Sequence, residues 1–203
     1  MQQKFNCNCF RIFRSLKGKL KLILFIAILY FNASSNLLMA SDYYWVNGTG
    51  KWSEFTLHWA TSSGGSVFHT QLPDTNDNVF FDANSFVALS DTLDIDLDSV
   101  FCNDMNWSAV TNNPVISYSN TYFASYPFIT IKGSLFLSPL IQWNLFAVFD
   151  FNSNQLGNSI NLAGLDLLNG NTVAGFQFKG AGSWQLLEDL IVYNISFYSG
   201  TFI

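Results

Sequence analysis

The chain has 203 residues, of which 49% are hydrophobic, 17% aromatic and only 11% charged. Soluble proteins usually carry about 25% charged residues, so Asn, Ser and Thr supply the polar surface here, as suits a β-rich extracellular protein. Beyond residue 40 three lysines face fourteen acids, a net charge of −11 with no arginine. That balance excludes nucleic acid as a partner, because phosphate binding needs clustered Lys and Arg.

The first forty residues have a different character. Lys4, Arg11, Arg14, Lys17, Lys19 and Lys21 precede or open an apolar run over residues 20–31, LKLILFIAILYF. A basic start, a short apolar core and a following small or polar stretch fit a secretory signal peptide over residues 1–40. The run falls short of the ~20 apolar residues that span a bilayer, so no stable membrane span is expected once the segment is removed. Cleavage is expected after Ala40, with Ser35 as the alternative, and a retained anchor is the other reading. The expected address is secreted or outer cell surface. Cys7 and Cys9 precede the apolar run, which leaves Cys102 as the one cysteine of the mature chain. A lone cysteine makes no internal disulfide, and this one reads as a small buried hydrophobe.

Residues 41–86 read as an N-terminal cap. Tyr43, Tyr44, Trp45 and Val46 form a β-prone run. Asn47-Gly48-Thr49-Gly50 is a turn in which Asn and Gly accept positive φ. Trp52 and Trp59 are seven residues apart, and a short helix or turn between them puts both on one face. Ser62-Ser63-Gly64-Gly65 is a second turn, Val67-Phe68 a short strand, and residues 72–76 a third turn. A strand is predicted at Val79-Phe80-Phe81. Asp74, Asn76 and Asn78 have the oxygen spacing that opens a calcium loop. Val79 stands where that loop needs Gly and Ser85 where it needs Glu, so Asx-turn chemistry is the better reading.

This stretch resembles the N-terminal region of large exported surface proteins of the Bacteroidetes. The residues that carry the likeness are Trp45, Val46, Gly48, Gly50, Trp52, His58, Trp59, Pro73, Asp77, Val79, Phe80, Phe81, Asp82, Ala83 and Ser85. Asn47 and Lys51 depart from the commonest form. Later, Gly180-Ala181-Gly182-Ser183-Trp184-Gln185-Leu186 with Asp189-Leu190 is similar to a rung of the same proteins. The resemblance implies an adhesin-like or gliding-associated scaffold exported by the type IX system, and names no ligand.

From residue 87 the chain reads as short strands. Residues 91–98, DTLDIDLD, alternate, so Asp94, Asp96 and Asp98 are expected on one face with Ile95 and Leu97 on the other. That row reads as a solvated face that discourages edge pairing, with Ca²⁺ binding as the alternative. Three segments share a pattern of apolar, polar, apolar, polar, small: Ile129 to Gly133, Phe149 to Ser153 and Phe176 to Gly180. They start 20 and 27 residues apart. Irregular repeats with Asn and Gly turns suggest rungs of a right-handed parallel β-helix over residues 87–203, an all-β fold. A β-sandwich is the runner-up. Asn158 and residues 169–171, Asn-Gly-Asn, are expected corners. The chain ends inside a rung, so a longer or interrupted parent protein is expected.

The open end of such a solenoid needs a cap, and Trp45, Trp52 and Trp59 are expected to supply it. The alternative is that these three form a sugar-stacking platform. His58 and His69 read as structural. Asp150, Asp166 and Asp189 are near one rung apart and line up in principle as hydrolytic carboxylates, although turn and surface roles suit them better. No Ser/His/Asp signature, Cys/His metal spacing or phosphate loop is present. The function expected is therefore a non-catalytic structural or adhesive domain, needing no cofactor. Its partners are extracellular glycans or surface proteins. A carbohydrate-binding or polysaccharide-degrading β-helix is the alternative.

Overall fold

Short strands separated by turns dominate the computed structural model, which describes residues 40–119, 126–167 and 173–203. The expected signal peptide and the Asn-Gly-Asn corner at 169–171 lie outside the described residues. The chain opens with β1 (Asp42–Trp45), β2 (Gly50–Lys51), the single helical turn α1 (Phe55–His58), β3 (Trp59–Ala60) and β4 (Asn78–Phe80). It continues through β5 (Thr92–Ile95), β6 (Ser99–Cys102), β7 (Met105–Asn106), β8 (Val115–Tyr118), β9 (Phe128–Ile131) and β10 (Leu135–Phe136). The remainder is β11 (Gln142–Asn144), β12 (Ala147–Asn152), β13 (Asn158–Asn161), β14 (Val173–Lys179), β15 (Ser183–Leu186), β16 (Ile195–Phe197) and β17 (Thr201–Phe202).

These strands form three sheets. Sheet A runs β17-β15-β13-β10-β7-β4-β1-β3, sheet B runs β11-β8-β5-β2, and sheet C runs β16-β14-β12-β9-β6. Strands β1 and β3 pair antiparallel; the other ladders are parallel. From β4 to β13 the chain visits A, B and C in the same order three times before returning to A. After β13 the described strands alternate between C and A. The fold is thus all-β with parallel sheets. It is not the β-sandwich named as the alternative, whose sheets are antiparallel. Among the described residues no helix is long and apolar enough to cross a membrane.

The apolar repeat is the strand register. Ile129, Phe149 and Phe176 are direct partners across β9, β12 and β14. Val100 and Ile195 extend the same row into β6 and β16. Their inward neighbours stack as the pattern requires: Phe151 lies on Phe178 with ring centroids 4.9 Å apart and planes 8° apart. Alternation puts Ile131, Phe149, Phe151, Phe176, Phe178 and Trp184 in the core, each fully buried. Each such side chain contributes about 1.5–3 kcal/mol by leaving water.

Three local expectations need correction. The 91–98 stretch is not one strand: β5 stops at Ile95 and the chain bends before β6. Asp96 is drawn aside there by Ser53, whose N–H and hydroxyl donate to it at 3.1 and 2.6 Å. Asn158 is no left-handed corner; it opens β13 buried, and Gly157 before it takes φ +81°. Val67-Phe68 reduces to a single bridge from Phe68 to Ala60.

Candidate functional site

The head of the molecule is built from the turn chemistry that the sequence announced. Asn47 and Gly48 take φ of 67° and 69°, in the turn that carries the chain from β1 in sheet A to β2 in sheet B. One helical turn then reverses the chain between Trp52 and Trp59, whose rings meet edge-on at 4.8 Å. Two of the indole N–H groups donate to backbone carbonyls: Trp45 to Gly48 at 2.8 Å and Trp59 to Trp52 at 3.0 Å. His58 stacks on Trp45 with centroids 4.5 Å apart and its Nδ1 lies 2.7 Å from the Val46 carbonyl. His69 stacks on Tyr43 at 3.5 Å. Burial pushes the Tyr43 hydroxyl up from its ordinary pKa, and the charge of Asp77 adds to that.

The other residues that carried the resemblance also have structural work. Asp77 is buried and accepts from Ser41 N–H and Asp74 N–H, both at 2.9 Å. Ser85 is buried; its hydroxyl accepts from Asp82 N–H at 2.8 Å and its carbonyl accepts from Gly48 N–H at 2.9 Å. Asp74 forms an Asx turn, accepting from Asn76 N–H at 2.7 Å. Strand β3 pairs antiparallel on the outside of β1, so the edge of sheet A at this end is folded over.

Trp45, Trp52 and Trp59 are 0–1% exposed. A sugar ring stacks on an exposed aromatic face, and these three have none, so the alternative reading of them as a sugar-stacking platform is corrected. Asp94, Asp96 and Asp98 are each occupied by a different neighbour. Asp94 accepts from the Ser117 hydroxyl at 3.4 Å and from Ser119 Oγ in a short contact. Asp96 is held by Ser53, and Asp98 accepts from Tyr118 Oη at 3.3 Å. Among the described residues no three His, Cys, Asp or Glu side chains gather as a metal group.

Asp150, Asp166 and Asp189 are likewise not brought together. Asp150 is buried on β12 beside Lys179 Nζ at 2.8 Å, while Asp166 and Asp189 are exposed in the segments after β13 and β15. The ammonium approaches Asp150 Oδ1 off the hydrogen-bonding direction, so charge holds the pair. Lys179 also lies 5.8 Å over the Tyr198 ring. Cys102 is fully buried, and burial pushes its thiol far above the ordinary range.

The arrangement best placed to meet a ligand was not singled out in the sequence. It is the outer face of sheet A. In-register pairing places Asp42, Asn78, Asp104, Ser134 and Ser159 in one row and Tyr44, Phe80, Asn106, Phe136 and Asn161 in the next. The first row is cross-linked. Asn78 Nδ2 donates to Asp42 at 2.9 Å, Ser134 N–H donates to Asp104 at 2.7 Å, and Ser159 N–H donates to Ser134 Oγ at 3.0 Å. In the second row Tyr44 and Phe80 stack at 4.9 Å, and all five side chains are half-buried. Three rings and two amides follow one another along this row at the strand spacing, about 4.8 Å. The alternation along each strand was visible in the sequence, but the rows appear only once register is known. No family model, curated protein or solved structure matches this chain.

Proposed function

We propose that residues 41–203 form a right-handed parallel β-helix, closed at its N-terminal end by the tryptophan cluster. It serves as a non-catalytic structural or adhesive domain of a secreted or surface-displayed protein. One observation carries this reading: from β4 to β13 the chain returns to sheets A, B and C in the same order, in register, behind a head whose aromatics are buried. Such an architecture is a spacer with long flat faces. The likeness to exported Bacteroidetes surface proteins supports the address. The test is protease shaving of intact source cells. Loss of the full chain from unlysed cells, or its recovery from the medium, is expected; protection until lysis overturns the address.

The outer face of sheet A favours a second reading, glycan binding, through the half-buried rings of Tyr44, Phe80 and Phe136. Affinity electrophoresis in gels cast with plant and algal polysaccharides separates the two. Retardation that Tyr44→Ala abolishes favours glycan binding. Unchanged mobility in every gel favours the scaffold.

A further inference from the structure

The second row on the outer face of sheet A has an order of its own. From Phe80 onward it reads ring, amide, ring, amide: Phe80, Asn106, Phe136 and Asn161, on the adjacent strands β4, β7, β10 and β13. Like groups therefore recur every second strand, about 9.6 Å apart. The two amides are set in the same way. Asn106 Oδ1 accepts from Ser108 N–H at 2.9 Å and from Ser108 Oγ at 2.7 Å, and Asn161 Oδ1 accepts from Ala163 N–H at 2.8 Å. Each oxygen is turned back on its own chain, and Nδ2 is the remaining hydrogen-bonding group of each amide.

The rings at the head of the row are laid like shingles. Tyr44 and Phe80 lie within 16° of parallel, yet their centroids are 4.9 Å apart. Carbon atoms in contact stand about 3.5–4.0 Å apart, so the two rings are offset and each leaves part of a face uncovered by the other. Phe136 has an amide on either side. All five strands of the row are paired on both sides, so this face is continuous within the sheet. Its charge is one-sided. The strands of sheet A contain no Lys or Arg. Asp42 and Asp104 lie in the neighbouring row, already accepting from Asn78 and Ser134. Burial, and then the charges of Asp42 and Asp82, push the Tyr44 hydroxyl above its ordinary pKa. A polyanion is repelled by such a face.

We propose that this ladder binds an uncharged β-1,4-linked polysaccharide, laid across the strands along the row. The proposal rests on the glycan-binding reading of this face and adds the class and direction of the bound chain. In a flat β-1,4 ribbon each sugar is turned over relative to the last, so equivalent groups recur every second residue. A sugar so linked advances the chain by close to one strand spacing. The two-residue period of the ligand then matches the two-strand period of the ladder. Ring faces pack against the C–H faces of alternate sugars, and the Asn106 and Asn161 amides donate to hydroxyls between them. An α-1,4-linked chain coils away from a straight row, and a uronate or sulfate chain brings charge that the face repels. Three strand spacings separate Phe80 from Asn161, about 14 Å, so about four sugars fill the row.

The test is isothermal titration calorimetry of the full chain. The probes are the dimers and hexamers of β-1,4-glucose and β-1,4-mannose, with the hexamers of α-1,4-glucose and α-1,4-galacturonate. At least one uncharged β-1,4 hexamer is expected to bind about tenfold more tightly than its own dimer and than either α-1,4 hexamer. Phe136→Ala and Asn161→Asp are each expected to weaken that hexamer about tenfold. Phe101→Ala, at an exposed ring on sheet C, is expected to leave it unchanged. Asn161→Asp keeps the oxygen that accepts from Ala163 and removes the amide donors, so it reports on binding even where Phe136→Ala perturbs folding. Equal or tighter binding of an α-1,4 hexamer overturns the proposed class and leaves the glycan reading standing. Equal affinity for dimer and hexamer overturns the proposed direction, and binding that survives both substitutions overturns the site. No heat from any probe overturns the proposal, and the glycan reading falls with it only where the polysaccharide gels also leave mobility unchanged.

Discussion

The two ends of the molecule are made of similar residues and finished in opposite ways. At the head Tyr43, Trp45, Trp52, Trp59 and Phe81 are at most 1% exposed. At the tail Phe197, in β16 of sheet C, and Tyr198 after it are 47% and 66% exposed. Composition therefore does not decide whether an aromatic is core. What decides is whether the chain folds back over it. The head achieves this with a positive-φ turn, one turn of helix, an antiparallel strand and a set of buried Asp and Ser side chains that hold loops in place. Among its described residues the tail has a positive-φ turn at Gly200, but no turn of helix and no antiparallel strand folds over β16 and β17.

The largest expected contrast comes from removing one ring at each end. Trp59→Ala leaves a cavity among Trp45, Trp52 and Phe81 and frees the Trp52 carbonyl. A loss of about 3–5 kcal/mol in urea unfolding is expected. Phe197→Ala is expected to cost about 1 kcal/mol in unfolding of the isolated chain, because half of that ring already faces water. Equal losses would erase the distinction between sealed and open ends.

A second test asks whether the head tolerates any added volume. A Cβ at Gly50 would lie 2.0 Å from His58 Nε2, and His58 is pinned between Trp45 and the Val46 carbonyl. Gly50→Ala is expected to cost about 1–3 kcal/mol. By contrast, a Cβ at Gly164 meets nothing within 4 Å, although its φ of +72° strains any other residue.

The smallest effect concerns the pin between the head and the next turn of chain. Burial works to raise the Asp91 carboxyl, but hydrogen bonds from Ala88 N–H, the Thr49 hydroxyl and Val87 N–H outweigh it and hold the pKa below the ordinary value. A depressed carboxyl stabilises the fold above its unfolded pKa, ~4. That stability is lost as pH falls through the folded value. Asp91→Asn is expected to cost roughly 1 kcal/mol at pH 7, given screening at an exposed site. Wild type and variant should converge in thermal melts as the pH falls through the folded value, below the ordinary carboxylate range. A constant gap at every pH would remove the charge from the explanation.

The sequence was most readable where local pattern and tertiary role coincide. The positive φ at Asn47 and Gly48, the Trp52–Trp59 face and the pairing of Ile129, Phe149 and Phe176 all follow from residue type and spacing. Reading failed where a distant group overrides local alternation. The 91–98 pattern continues through Asp98, yet Ser53 holds Asp96 and the strand ends at Ile95. Asn158 has turn propensity, but its neighbour Gly157 takes the left-handed conformation more cheaply. The outer rows of sheet A were hidden for a different reason. They join residues 25–36 positions apart, and no local pattern fixes which strand lies beside which.

The sheet C register has one more consequence. Successive partners Val100, Ile129, Phe149, Phe176 and Ile195 are separated by 29, 20, 27 and 19 residues. The ladder counts strands and is indifferent to residues, because the surplus is carried in the connecting segments. Such a chain can gain or lose length at its bends while every strand keeps its partner. Genes of this architecture are therefore free to drift in period. A constant repeat length is the wrong ruler for recognising them, and the spacing of inward aromatic pairs is the better one.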